Sequence, residues 1–183
     1  DEIILCNDSC FCVDSLKPAF DKMGTKSCDF WSMTASNEYE LHLQSFFLVV
    51  KKNLFSSELF SNYLNNVKHL DNFLEIVKTY EIPLKKTFEQ KGYKGNSFIK
   101  APEKFNPTFF PICCIKANMP LVKRKIFTES NACKESLLKV IIDLKFNYKK
   151  SYNNILKFYK TNTLIPIWLK FFLPKVKRFI FRI

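Results

Sequence analysis

The chain has 183 residues, 47% hydrophobic and 25% charged, enough for one domain with a core and too apolar for a disordered segment. Its three glycines, Gly24, Gly92 and Gly95, cannot spell a GxGxxG fingerprint or a Walker loop, which excludes a Gly-rich phosphate cradle. The net charge of +12 is uneven: residues 1–100 carry 12 Lys/Arg against 13 Asp/Glu, and residues 101–183 carry 17 against 4, which points to a polyanionic partner for the second half.

The run EIILC (2–6) reads as a short buried strand by length and β-branched content. NDS (7–9) follows as a loop, and SLKPAFDKMG (15–24) as a short helix closed by Gly24. CDFWSMT (28–34) is a second strand, SNEYEL (36–41) a polar loop, and HLQSFFLVVKK (42–52) the strongest strand, apolar from Phe46 to Val50. Residues 53–67 place Leu54, Phe55, Leu59, Phe60, Tyr63, Leu64 and Val67 at helical spacing. Helical character continues over 70–93, with Pro83 in the first turn of a helix that starts near Tyr80–Glu81 and stops at Gly92. Residues 94–111 read as Pro-containing loop with one strand at most, and 134–160 as amphipathic helix. Strand, helix, strand, strand, helix, helix and a basic helical tail make an α/β chain, patterned like the second half of a normal α/β domain.

Seven cysteines, an odd number without a CxxC pair, predict neither a disulfide framework nor a zinc site; they read as buried, reduced thiols of a cytosolic protein. The chain does not open on Met and starts inside an apolar run, so a fragment with sequence missing before Asp1 is expected.

Three polar clusters carry chemistry. Open α/β sheets bind ligands beyond the carboxyl ends of their strands, where Asn7, Asp8 and Ser9 would sit. A carboxylate beside an amide and a hydroxyl can hold a divalent cation or a sugar hydroxyl; the same residues also favour a plain turn. His42, Gln44 and Ser45 at a strand mouth offer paired donors and acceptors for a hydroxyl-rich ligand, although a lone His is also a common structural residue. Glu81, at a predicted helix start, is either a capping carboxylate or a general base.

The segments NDSCF (7–11), CDFWSMT (28–34), HLQSFFLVVKK (42–52), YEIPLKKTFEQKGY (80–93) and NPTFFPICCIKANMPLVKRKIF (106–127) together resemble the rhamnan synthesis protein F family of bacterial glycosyltransferases, over roughly residues 3–130. The resemblance implies the C-terminal half of a GT-A-like (Rossmann-like) domain over 1–130, followed by a basic helical extension over 131–183. It implies transfer of a sugar, L-rhamnose from dTDP-L-rhamnose, to a saccharide or lipid-linked saccharide acceptor of a rhamnan, O-antigen or capsule. In that reading Glu81 is the base, Asn7, Asp8 and Ser9 bind the donor or a Mg²⁺ or Mn²⁺ ion, and His42, Gln44 and Ser45 orient sugars. The motif NDS has one Asp where many such enzymes have two, which bears on metal dependence. Ser32 stands where the family usually shows glycine. The nucleotide-binding half would precede Asp1, so the fragment alone is expected to bind nucleotide poorly.

The stretch LIPIWLKFFLPKVKRFIFRI (164–183) is too interrupted by charge to span a bilayer. Trp168, Lys170, Lys175, Lys177, Arg178 and Arg182 fit an interfacial segment with cations at anionic headgroups, which would hold a cytoplasmic enzyme at the inner face of the membrane. The competing account is a non-catalytic basic module for anionic lipid or nucleic acid. It leaves the polar clusters unexplained, and no nucleic-acid motif is present, so a nucleic-acid partner is not expected.

Overall fold

The computed structural model describes residues 1–101, 106–129 and 134–161. Strand β1 (Glu2–Cys6) is followed by β2 (Cys10–Cys12), helix α1 (Lys17–Gly24), β3 (Phe30–Ser36), β4 (His42–Leu43) and β5 (Phe47–Lys51). Then come α2 (Lys52–Phe55), α3 (Glu58–Asn65), α4 (Phe73–Ile76), a π-helical turn (Val77–Glu81) and α5 (Ile82–Glu89). Strand β6 (Gly95–Ile99), α6 (Pro111–Lys116), β7 (Leu121–Lys123), a 3₁₀ turn (Arg124–Phe127), α7 (Leu137–Asn147) and α8 (Lys149–Thr161) complete it. The architecture is mixed α/β. The expected membrane-contact segment 164–183 lies outside the described residues, and among those described no helix is long and apolar enough to cross a membrane.

The main sheet runs β1-β5-β3, with β4 and β6 also paired to β3. The pairs β1·β5 and β5·β3 are antiparallel and β3·β6 is parallel, so β1, β3 and β6 run in one direction. All seven residues of β3 are buried, because helices cover both faces there. On one face Trp31, Met33, Phe47 and Val49 pack against Ala19 and Met23 of α1. On the other, Phe30, Leu48 and Val50 pack against Leu54, Phe60, Leu84 and Phe88 of α2, α3 and α5. A third cluster joins Val13, Val122 and Phe127 to Val140, Ile141 and Leu144 of α7 and to Tyr152 and Ile155 of α8.

Several expectations need correction. Strand β1 is not buried: it pairs only with β5 among the described residues, and Ile4 and Leu5 remain substantially exposed. The expected strand 28–34 starts later, because Asp29 accepts the backbone N–H of Lys94 and the Asn53 amide and so ends the preceding loop. The expected helix 53–67 breaks after Phe55, where Ser57 caps α3 through its hydroxyl and the Phe60 N–H. The helix over 134–160 breaks at Tyr148. Of the six described cysteines, all free thiols, only Cys28 and Cys114 are buried; burial pushes Cys114 up to about 12. Cys6, Cys12 and Cys113 are exposed.

Gly95 opens β6 directly over the Phe30 ring, and a Cβ there would lie 2.6 Å from Phe30 Cζ. Phe30 is fully buried and packs edge-on against Phe88, so it has little room to yield. Gly95→Ala is therefore expected to cost about 1–3 kcal/mol, the usual range for overpacking, in urea unfolding. An unchanged midpoint would show that the ring moves aside.

Candidate active site

The carboxyl ends of β1, β3 and β6 point to one edge of the sheet, where the chain also approaches β5. A cleft of about 500 Å³ opens there, within the usual range of small-molecule sites. The break between β4 and β5 shapes it. Opposite β3, pairing passes from Ser32↔Leu48 to Ala35↔Leu43; residues 44–47 therefore face only Met33 and Thr34. This bulge interrupts the single strand expected over 42–52 and aims Gln44, Ser45 and Phe46 into the cleft.

Glu81 meets that bulge. Its Oε2 accepts the backbone N–H of Ser45 at 2.8 Å and the Ser45 hydroxyl. Its Oε1 lies 3.7 Å from His42 Nε2. His42 Nδ1 sits 2.8 Å from the Glu40 carbonyl, an acceptor, so that nitrogen carries a proton and Nε2 is the one turned to Glu81. Glu81 stands directly before α5, where a helix start was expected, but its carboxylate caps no helix. It ends a π turn inside a helical run from Phe73 to Glu89. Pro83 has no N–H and clashes with the carbonyl four residues back, and a π turn before it absorbs the misfit. Tyr63 Oη ties this turn to α3 by donating to the Tyr80 carbonyl at 2.6 Å, and burial pushes the Tyr63 phenol up to about 12.

A second polar chain lines the cleft. Thr34 Oγ1 donates to Gln44 Oε1 at 2.7 Å, Gln44 Nε2 to Asn106 Oδ1 at 3.3 Å, and Asn106 Nδ2 to Glu38 Oε2 at 3.0 Å. Thr108 also donates to Asn106 Oδ1, through both its backbone N–H and its hydroxyl. Gln44 is thus held by both ends of its amide. Beneath it the hydroxyl of Ser32, on fully buried β3, donates to the Thr34 carbonyl, so this buried hydroxyl is satisfied.

Asn7, Ser9, His42, Gln44, Ser45 and Glu81 line one cleft; Asp8 does not line it. Asn7 Oδ1 accepts from Ser9 N–H, closing a tight turn that directs Asp8 outward. Asp8 Oδ2 and the Asp8 carbonyl both accept from Arg124 Nη1, at 2.9 and 2.8 Å. Among the described residues no three His, Cys, Asp or Glu are grouped to hold a metal ion. With Asp8 engaged by a guanidinium, the residues described do not fit Mg²⁺ or Mn²⁺.

Sequence reasoning missed Glu38, Asn106, Lys123 and Lys125, which line the same cleft. Lys123 Nζ donates to Ser9 Oγ at 2.7 Å and lies 4.0 Å from the centre of the Phe46 ring. The basic run KRK (123–125) directly after the apolar pair LV (121–122) was the available signal.

Comparison with known proteins adds one positive finding: the family model described as rhamnan synthesis protein F matches residues 1–176. No curated protein and no solved structure matches the chain.

Proposed function

This chain belongs to the rhamnan synthesis protein F family, and from that premise we propose that the cleft transfers a sugar, L-rhamnose from dTDP-L-rhamnose, to a saccharide hydroxyl. The family carries a role in rhamnan synthesis, a polysaccharide pathway. The observation that supports transfer is the Glu81 carboxylate, anchored on one oxygen by Ser45 and turned by the other toward His42 within a polar cleft.

The step is a displacement. Glu81 takes the proton of the acceptor hydroxyl as its oxygen bonds to the anomeric carbon from the face opposite the leaving group. The bond from that carbon to the diphosphate oxygen breaks, and its electron pair leaves with dTDP, inverting the centre. The amide of Gln44, fixed by Thr34 and Asn106, presents a definite donor and acceptor pattern to sugar hydroxyls. Asn7 and Ser9, which also line the cleft, would hold the donor. A GT-A-like (Rossmann-like) scaffold is part of this proposal, supported by three codirectional strands whose carboxyl ends surround the cleft. The charged segment 164–183 would bring the site to a lipid-linked acceptor at the inner membrane face.

Incubation with labelled dTDP-L-rhamnose and rhamnose-terminated oligosaccharides tests the reading. Label is expected in a lengthened oligosaccharide, with dTDP released one for one. Absence of transfer from any dTDP- or UDP-sugar, with the protein folded, would remove it.

A further inference from the structure

Beyond Glu81 the cleft runs on through Ser9, Lys123 and Lys125 into a smaller pocket of about 280 Å³, where Asp8, Arg124, Thr128 and Phe158 join the lining. We propose that this Lys123–Lys125 edge binds the diphosphate of the sugar donor, its cations neutralising the leaving group in place of a divalent metal. The proposal rests on the transferase reading and names the part of the substrate that the edge takes.

Burial pulls the Lys123 ammonium below its usual value; Cys10 and Glu81 act the other way, and Lys125 adds to the lowering. Neither Lys123 nor Lys125 has an ion-pair partner among the described residues. Lys123 has one hydrogen bond, to Ser9, and a ring face below it; Lys125 Nζ lies 5.3 Å from the Phe109 ring centre. A partly desolvated cation without a carboxylate is costly to hold, and an entering anion offsets that cost. Arg124 differs: Asp8 already balances its charge. The edge thus presents two cations that have no ion-pair contact among the described residues, and a diphosphate diester carries about two negative charges, one on each phosphoryl group. When the anomeric bond breaks, further charge builds on the diphosphate oxygen, where fixed cations act most strongly. Asp8, which lines the smaller pocket, has its carboxylate charge balanced by Arg124.

Titration calorimetry of the full chain in EDTA, with inorganic pyrophosphate as probe, tests this directly, because pyrophosphate asks only for the phosphate contacts. Pyrophosphate and dTDP are expected to bind without metal, and thymidine at least tenfold more weakly. Lys123→Met keeps an unbranched apolar side chain at this half-buried position and removes the charge; it is expected to weaken pyrophosphate at least tenfold with an unchanged melting curve. Lys125→Ala, at the rim, should weaken it severalfold and decides the matter if Lys123→Met fails to fold. No binding of pyrophosphate, binding only after Mg²⁺ is added, or unchanged affinity in both variants would overturn the proposal. So would variants that lose binding to vesicles carrying a polyprenyl diphosphate yet keep dTDP affinity, since the diphosphate would then be the acceptor's. Glu81→Gln should retain pyrophosphate affinity. Binding that follows the lysines without any sugar transfer would count against the transferase reading alone; transfer with unchanged kcat and KM in Lys123→Met would count against this edge alone.

Discussion

Glu81→Gln is expected to lower sugar transfer by about 10²–10⁴-fold, the usual contribution of a positioned general base. The substitution is a sharp one because it spares the architecture. The glutamine carbonyl can still accept the Ser45 N–H and hydroxyl, and its amino group can donate to His42 Nε2, so the link between the π turn and the bulge survives. What is lost is the ability to take a proton from the acceptor. If the Glu81 carboxylate serves only as a structural tie, transfer and the melting curve stay together near wild type. If it is the base, transfer collapses while the melt does not move. Initial rates with labelled dTDP-L-rhamnose, read beside a thermal melt, separate these results. His42→Gln gives a smaller expected loss, because His42 faces Glu81 and holds its orientation without replacing it.

Phe88→Ala is the substitution expected to unsettle the fold most, by about 3–5 kcal/mol. The Phe88 ring is fully buried at the meeting point of α5, α3 and the sheet. It packs edge-on to Phe30 at 5.4 Å between ring centres, and against Tyr63 at 5.1 Å and Phe60 at 6.1 Å. Removing it opens a cavity that three other rings cannot close without leaving their own packing. For a chain of this length each kcal/mol shifts the midpoint by about 2–4 °C, so a fall on the order of 10 °C is expected. A loss below about 1 kcal/mol would mean that α5 does not depend on this contact. The same helical run carries Glu81, so transfer in the variant should fail at a lower temperature than in wild type.

Much of this arrangement was legible in the sequence where local periodicity carried it. The apolar run Phe46–Val50 became β5, and the helical spacing of Leu54, Phe60 and Leu64 became α2 and α3, because burial of one face or of a whole strand leaves a pattern over a few residues. The three-residue strands β2 and β7 left no such pattern; each is a strand only because the other lies beside it. Pro83 signalled a boundary correctly, but packing of Tyr63 against the turn kept the helix running through it as a π turn. Helix α6 hides in ICC and is held at its start by Glu135, whose carboxylate accepts the Ile112 and Cys113 N–H groups.

By itself the sequence determined the α/β content, the charge asymmetry, and the presence of short polar clusters at strand mouths, since these depend on neighbours a few residues apart. It also carried the family resemblance. Only the tertiary structure decided which polar residues meet. Ser45 and Glu81 are 36 positions apart, Gln44 and Asn106 62, and Asp8 and Arg124 116. Whether such side chains touch depends on strand register, on the bulge after β4 and on the rotation of a helix, each set by the packing of the whole core. That is why Glu81 was found among the cleft residues, why Lys123 came to stand beside Ser9, and why Asp8, chemically the most suggestive residue of its loop, faces Arg124 instead of the cleft.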